Sequence, residues 1–180
     1  MKVEEFKRTE YQQRLFSIYA DLWKNIQNTK DIFLVFTQPL QSYPDLSQFN
    51  PDELLEFLNE TELAQRYKNK ILNSIDKNKE YQNIIFWYRL NKLQNFYNDL
   101  YSSFEINRIF FSKEMNESLD SLISIFHKAL VDIETGGETK DLRMKDMGYK
   151  LIREAYNRIE KEAQKIIDNI EQQIQEDIRK

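Results

Sequence analysis

The sequence predicts an all-α protein: an elongated antiparallel four-helix-type bundle of long helices, with a short extra helix after a proline-containing loop. Three observations lead there. The 180 residues include only three glycines and three prolines, so few positions break a helix. Apolar residues recur three and four apart over long stretches, which is the period of one helix face. Aromatic residues make up 13% of the chain and fall mostly on those faces, where large rings supply core area.

The first helix is expected from about Val3 to Phe36. Leu15, Ile18, Leu22, Ile26, Phe33 and Phe36 form its stripe, with Phe16, Tyr19 and Trp23 beside it. A loop follows over about 37–50, where Pro39 and Pro44 disfavour helix in the residue before each. Asn50 is a good N-cap, Pro51 suits the first helical position, and Asp52 and Glu53 sit at the positive end of the dipole. A short helix with Leu54, Leu55, Phe57 and Leu58 results. Asn59, three residues before Glu62, predicts a kink or restart at 59–61. Leu63, Tyr67, Ile71 and Ile75 continue the stripe, and the polar segment Asp76–Glu80 reads as a loose or kinked joint.

The stretch Tyr81–Phe111 is the centre of the expected fold. Phe86, Leu90, Leu93, Tyr97, Leu100 and Phe104 share one stripe. Ile85, Tyr88, Phe96, Tyr101 and Ile109 widen it or supply another, so more than one neighbour must cover this helix. Ser112 can cap the next helix, whose stripe is Leu119, Leu122, Ile123, Phe126, Leu130 and Ile133. Gly136-Gly137 predicts its end, in a turn at about 134–139. Thr139 or Asp141 would cap a last helix over about 140–179. There Tyr149, Ile152, Tyr156, Ile159, Ala163, Ile166 and Ile170 make a narrow seam of coiled-coil type. The whole of 1–180 reads as one helical-bundle domain, since about 100–200 residues per domain is usual.

Composition and motif spacing narrow the chemistry. The chain has no cysteine, hence no disulfide, thiolate nucleophile or Cys-type zinc site, in keeping with a reducing cytoplasm. The N-terminal MKVEEFKRTEYQQRLF lacks the apolar core of a signal peptide, and the longest apolar run, Ile32–Phe36, falls far short of a membrane span. A cytoplasmic location is therefore expected. His127 is the sole histidine and Ser124 stands three before it, so neither a Glu-x-x-His di-iron pair nor HExxH exists. There is no G-x-S-x-G elbow, no phosphate-binding P-loop and no GxGxxG. No catalytic, cofactor-binding or metal-ligating residues are assigned, and no cofactor or metal is expected.

What is left is interaction. The isoleucine seam runs on through Ile166, Ile170, Ile174 and Ile178, past the expected end of the bundle, and makes those four the candidate interface for a protein partner or a second copy. A non-enzymatic cytoplasmic interaction or scaffold protein is the first reading. The alternative is a nucleic-acid-associated regulator. Residues 62–92 hold seven basic residues (Arg66, Lys68, Lys70, Lys77, Lys79, Arg89, Lys92) against three acidic, a difference of +4, whereas 114–141 hold seven acidic against two basic, a difference of −5. The net charge of −4 and the lack of aromatics interleaved with this basic strip weigh against it.

Leu15, Tyr19, Leu22 and Trp23, together with NRIFFSKEMNESLDSLI over Asn107–Ile123, resemble a broad group of bacterial cytoplasmic helical-bundle proteins with no assigned function. In that group an Ile-Phe element followed by a cap joins two central helices. The resemblance covers about half the chain. It implies the fold and a bacterial source, and carries no site residues.

Overall fold

In the computed structural model, the backbone is described for residues 2–38, 41–139 and 145–179, and the side chains for 10–38, 41–139 and 146–179. These residues are all-α and contain no strand. In chain order they form α1 (Lys2–Thr37), α2 (Pro51–Glu60), α3 (Gln65–Leu72), α4 (Lys77–Asn107), α5 (Lys113–Thr139), α6 (Lys145–Asn157) and α7 (Gln164–Ile178). Short 3-10 turns lie at Leu46–Gln48 and Arg108–Phe110, and a π-helical turn at Arg158–Ala163 joins α6 to α7. Two compact units result, one of Met1–Gln38 with Leu93–Lys180 and the other of Pro39–Lys92.

The larger unit is a four-helix bundle. The first rod is α1, the second the part of α4 after residue 92, the third α5, and the fourth α6 with α7. Phe33 stacks on Phe126 at 5.1 Å and Tyr19 on Phe111 at 5.8 Å, so α1 and α5 run parallel. The Tyr19 hydroxyl donates to Asp177 and Lys30 donates to Gln164, which sets the last rod antiparallel to α1. Between them the centre is filled by Leu22, Ile26, Phe33, Leu93, Leu100, Phe104, Met115, Leu122, Phe126, Ile159 and Ile170, all fully buried. Each such side chain contributes roughly 1.5–3 kcal/mol through removal from water.

The starts of the helices follow the sequence. Met115 N donates to Ser112 Oγ at 3.1 Å, so Ser112 caps α5. Asn50 accepts from Asp52 N and Glu53 N while Glu53 reaches back to Asn50 N, a complete capping box ahead of Pro51. The joint before α4 is shorter than Asp76–Glu80. Asp76 accepts from Lys79 N at 2.9 Å, and α4 begins at Lys77. The break after α2 is also real, but its second helix restarts at Gln65 behind Ala64, which makes no side-chain cap bond; Asn59 is still inside α2. Thr61 closes α2 by donating to Leu58 O at 2.6 Å.

The expected turn at 134–139 is not there. Helix α5 continues through Gly136 and Gly137 to Thr139. The glycine is there for space rather than for a helix end. A methyl group on Gly136 would stand 2.8 Å from Gly148 O and 3.0 Å from Ile152 Cγ1, so glycine lets the backbones of α5 and α6 approach closely. The expected cap Asp141 and the helix start near 140 lie outside the described residues.

The last rod buries a different seam from the expected one. Tyr149 is exposed and Ile152, Tyr156 and Ile166 are half-buried; Ala155, Ile159, Ala163, Ile167, Ile170 and Ile174 are buried. The π turn is the reason. It widens one turn of the rod, so the buried positions step by four from 155 to 167 before returning to a three-and-four spacing. Arg158, at its start, pairs with Asp132 of α5 at 3.2 Å.

The smaller unit packs α2, α3 and the first half of α4 around Leu46, Leu54, Leu58, Leu63, Ile71, Tyr81, Ile84 and Ile85. Phe57 bridges Phe49 and Tyr81, at 5.5 and 5.6 Å. Ile75, read from the sequence as part of the stripe, is fully exposed because α3 ends at Leu72 and the chain turns away before it.

Candidate functional site

The expected interface of four isoleucines is divided by the fold. Ile170 and Ile174 are buried within the bundle and Ile166 is half-buried. Ile178 alone remains largely open to water, at the last turn of α7.

Ile178 does not stand by itself. Asp177 beside it holds the Tyr19 hydroxyl at 2.8 Å, Tyr19 stacks on Phe111, and the Arg14 guanidinium lies 5.2 Å over the Phe110 ring. These contacts bring the N-terminal half of α1, the α4–α5 corner and the end of α7 to one end of the larger unit. Apolar side chains are left in solvent there: Ile109 is 85% exposed, Ile106 75%, Phe16 59%, Tyr11 53% and Ile178 48%. Tyr11 is informative because it continues the core-facing stripe of Leu15, Ile18 and Leu22. Sequence periodicity placed Phe16 and Ile109 beside apolar stripes but could not show where along a helix its neighbours stop.

The basic strip is placed in the smaller unit and is largely engaged there. Lys70 pairs with Glu80 at 2.7 Å and Lys92 with Glu62, whose carboxylate also accepts from the Tyr88 hydroxyl at 2.8 Å. Arg89 bonds Gln41 and lies over the Tyr43 ring; Arg66 lies over Tyr67. Lys68 and Lys77 donate to the Asn59 and Ser74 carbonyls, and Lys79 is exposed. The Lys92 ammonium and the Tyr88 hydroxyl hold the Glu62 carboxyl below its ordinary range.

The smaller unit also carries an open groove of about 600 Å³. Leu46 and Leu54 form its floor and Phe49, Pro51 and Leu72 its walls. Ile75 stands at the lip beside Asp76, Lys77 and Asn78. Its edge is held firmly: Asp45 accepts from Ser47 N, Ser47 Oγ, Gln48 Nε2 and Asn78 Nδ2, while Asn78 Oδ1 accepts from Leu46 N at 2.7 Å. Those donors, Ser47 and Asn78 foremost, hold the Asp45 carboxyl down to about 2.

None of these places gathers the groups of a catalytic centre. His127 is exposed, with its ring 6.1 Å from Tyr97. Among the described residues no three His, Asp or Glu side chains converge as a metal site, and no helix is long and apolar enough to cross a membrane. The chain matches no protein-family model, no curated protein and no solved structure.

Proposed function

We propose that this chain is a non-enzymatic, cytoplasmic interaction protein that works by self-association or by docking a protein partner through the open end of its four-helix unit. One observation carries the reading: Tyr11, Phe16, Ile106, Ile109 and Ile178 lie uncovered at a single end of that unit. Scattered apolar residues are normal on a surface, but a gathered set marks a place where another surface belongs. The lack of cysteine fits a reducing compartment. The resemblance of residues 15–23 and 107–123 to bacterial helical-bundle proteins is compatible with it. The engagement of Lys70, Lys92 and Arg89 within their own unit supports a protein contact over a nucleic-acid one, which needs cations free for phosphates.

The test is sedimentation velocity over a wide concentration range, paired with a photo-crosslinking amino acid at position 109 in the native host. The expected result is either a mass that rises with concentration or one discrete crosslinked adduct, each abolished by the double change Ile106→Asp and Ile109→Asp. A chain that stays monomeric and yields no adduct overturns the proposal.

A further inference from the structure

We infer that the last rod of the larger unit is a two-register element. The π turn at Arg158–Ala163 holds α6 in the observed register. Its relaxation to a continuous α-helix turns α6 about its axis, so that Tyr149, Ile152 and Tyr156 replace Gly148 and Ala155 against the rest of the bundle. The inference does not rest on the docking surface proposed above.

The rod carries two apolar faces, and α6 leaves one of them idle. In the observed register α6 buries Gly148 and Ala155, in line with Ile159, Ala163, Ile167, Ile170 and Ile174. Its larger apolar side chains stand to one side: Tyr149 is exposed, and Ile152 and Tyr156 are half-buried. A π turn winds in one residue more than an α turn, and removing that surplus rotates the preceding segment by about 100°. With α7 unmoved, a continuous α-helix then brings Tyr149, Ile152, Tyr156, Ile159 and Ala163 into line with Ile167, Ile170 and Ile174, spaced three and four apart throughout.

Two contacts hold the observed register. The backbones of α5 and α6 approach so closely at Gly136 that a methyl group there would stand 2.8 Å from Gly148 O, and only a small-residue face fits against it. Arg158, the first residue of the turn, pairs with Asp132 of α5 at 3.2 Å. That clasp is incomplete. Arg158 Nε is enclosed yet makes no hydrogen bond among the described residues, so the observed register carries the cost of an unpaired donor. Among the described residues of α6 only Gly148 and Ala155 are buried, so turning α6 gives up little apolar area. The two registers show different faces of α6 to solvent, which makes the turn a switch for the surface that this rod presents.

The chain has no cysteine, so a single introduced thiol reports cleanly through its reaction with a disulfide reagent in native buffer. Ala155→Cys puts the thiol where only the observed register buries it, and Ala163→Cys where both registers do. The Ala155→Cys chain is expected to react roughly tenfold or more faster than the Ala163→Cys chain, because turning α6 needs less than global unfolding. Adding Asp132→Asn weakens the clasp and is expected to speed the first about threefold and leave the second unchanged. Deleting Lys161, an exposed residue of the turn, removes the surplus and keeps Gly148 and Ala155 in line with Ile167 through a plain α-helix. With that deletion the two thiols are expected to react at equal rates. Amide exchange needs no substitution and decides alone where a cysteine variant fails to fold. Amides of 158–163 should exchange roughly tenfold or more faster than those of 167–174 in the native chain, and at equal rates once Lys161 is deleted. Equal rates without the deletion, or a deletion that unfolds the chain or leaves α6 as reactive as before, overturns the inference.

Discussion

Helix α4 has 31 residues, and its two halves contribute to two different cores. In the first half Tyr81, Ile84 and Ile85 are buried in the smaller unit's core, and Leu90 is buried further along. In the second half Leu93, Leu100 and Phe104 are buried in the core of the larger unit. The two units also organise themselves differently. The smaller is held by local devices: the Asn50 capping box, the Asp45 knot, the Asp76 cap and a core gathered within some 40 residues of chain. The larger is held by partners far apart in sequence, such as Tyr19 with Asp177 and Phe33 with Phe126. The difference teaches that one long helix can serve two cores that are held together by different means.

The sharpest way to break that division is to empty one core at a time. Phe33→Ala removes a fully buried ring from the larger unit and is expected to cost about 3–5 kcal/mol. Leu58→Ala in the smaller unit is expected to cost about 2–5 kcal/mol. Amide exchange locates each loss: protection should fall over α1, α5 and α7 for the first and over residues 46–85 for the second. Equal loss across α5 in the Leu58 variant would show one cooperative core, and the division would fail.

Next comes the close helix approach peculiar to the larger unit. Alanine is a better helix former than glycine by about 1 kcal/mol. At Gly136 the added methyl meets a backbone oxygen at 2.8 Å, which cannot swing aside as a side-chain tip can. Gly136→Ala is therefore expected to destabilise by about 1–3 kcal/mol in a denaturant melt despite the propensity gain. A stabilised variant would show that α5 and α6 do not need the glycine.

Most of this fold was legible in the sequence, and the failures have physical causes. Helix identities and the Asn50 and Ser112 caps follow from periodicity and local chemistry, which act within a few residues; of the second apolar set expected on α4 only Ile85 is buried, while Phe96, Tyr101 and Ile109 are exposed. The glycine pair was misread because Gly136 ends a helix and admits a neighbouring helix equally well, and only Gly148 across the interface decides between them. The last seam was misread because a π turn shifts register without any glycine or proline to mark it. Of the candidate sites, Ile178 and the basic residues could be named in advance, but their exposure and pairing depend on where distant helices end. The groove left no sequence signal apart from Ile75, whose isolation is a property of the turn.

The long-range tie at Tyr19 offers a third test, smaller than the core changes. Burial first, and then the Asp177 carboxylate that its hydroxyl faces, raise the Tyr19 ionisation well above the ordinary tyrosine value of about 10. The neutral form is the one the fold holds. This contribution is complete below the unfolded value near pH 10 and is lost as pH climbs from there toward the higher folded value. Tyr19→Phe removes a hydrogen bond to a charged acceptor and is expected to cost about 1.5–3 kcal/mol at neutral pH. It should also flatten the alkaline fall in stability of the larger unit. An unchanged alkaline limb would assign that fall to Tyr97 of the same unit, which burial also raises.

The smallest effect is expected at the most conspicuous polar cluster of the smaller unit. Glu62 accepts from both Lys92 and Tyr88, and Lys92 also lies 5.1 Å over the Tyr88 ring. The arrangement resembles a locked triad, yet Glu62 is 71% exposed, so water and salt compete for every charge in it. Its carboxyl is held below the ordinary range, so what it contributes is present above the unfolded value of about 4.5 and fades as pH falls through the folded one. Glu62→Gln keeps an acceptor for both donors and removes only the charge. Its melt at neutral pH is expected to overlay the wild type within error, whereas the buried tie at Tyr19 gives a measurable loss. A large loss at Glu62 instead would mean that exposed charge, and not the leucine and tyrosine core beneath it, holds the smaller unit together.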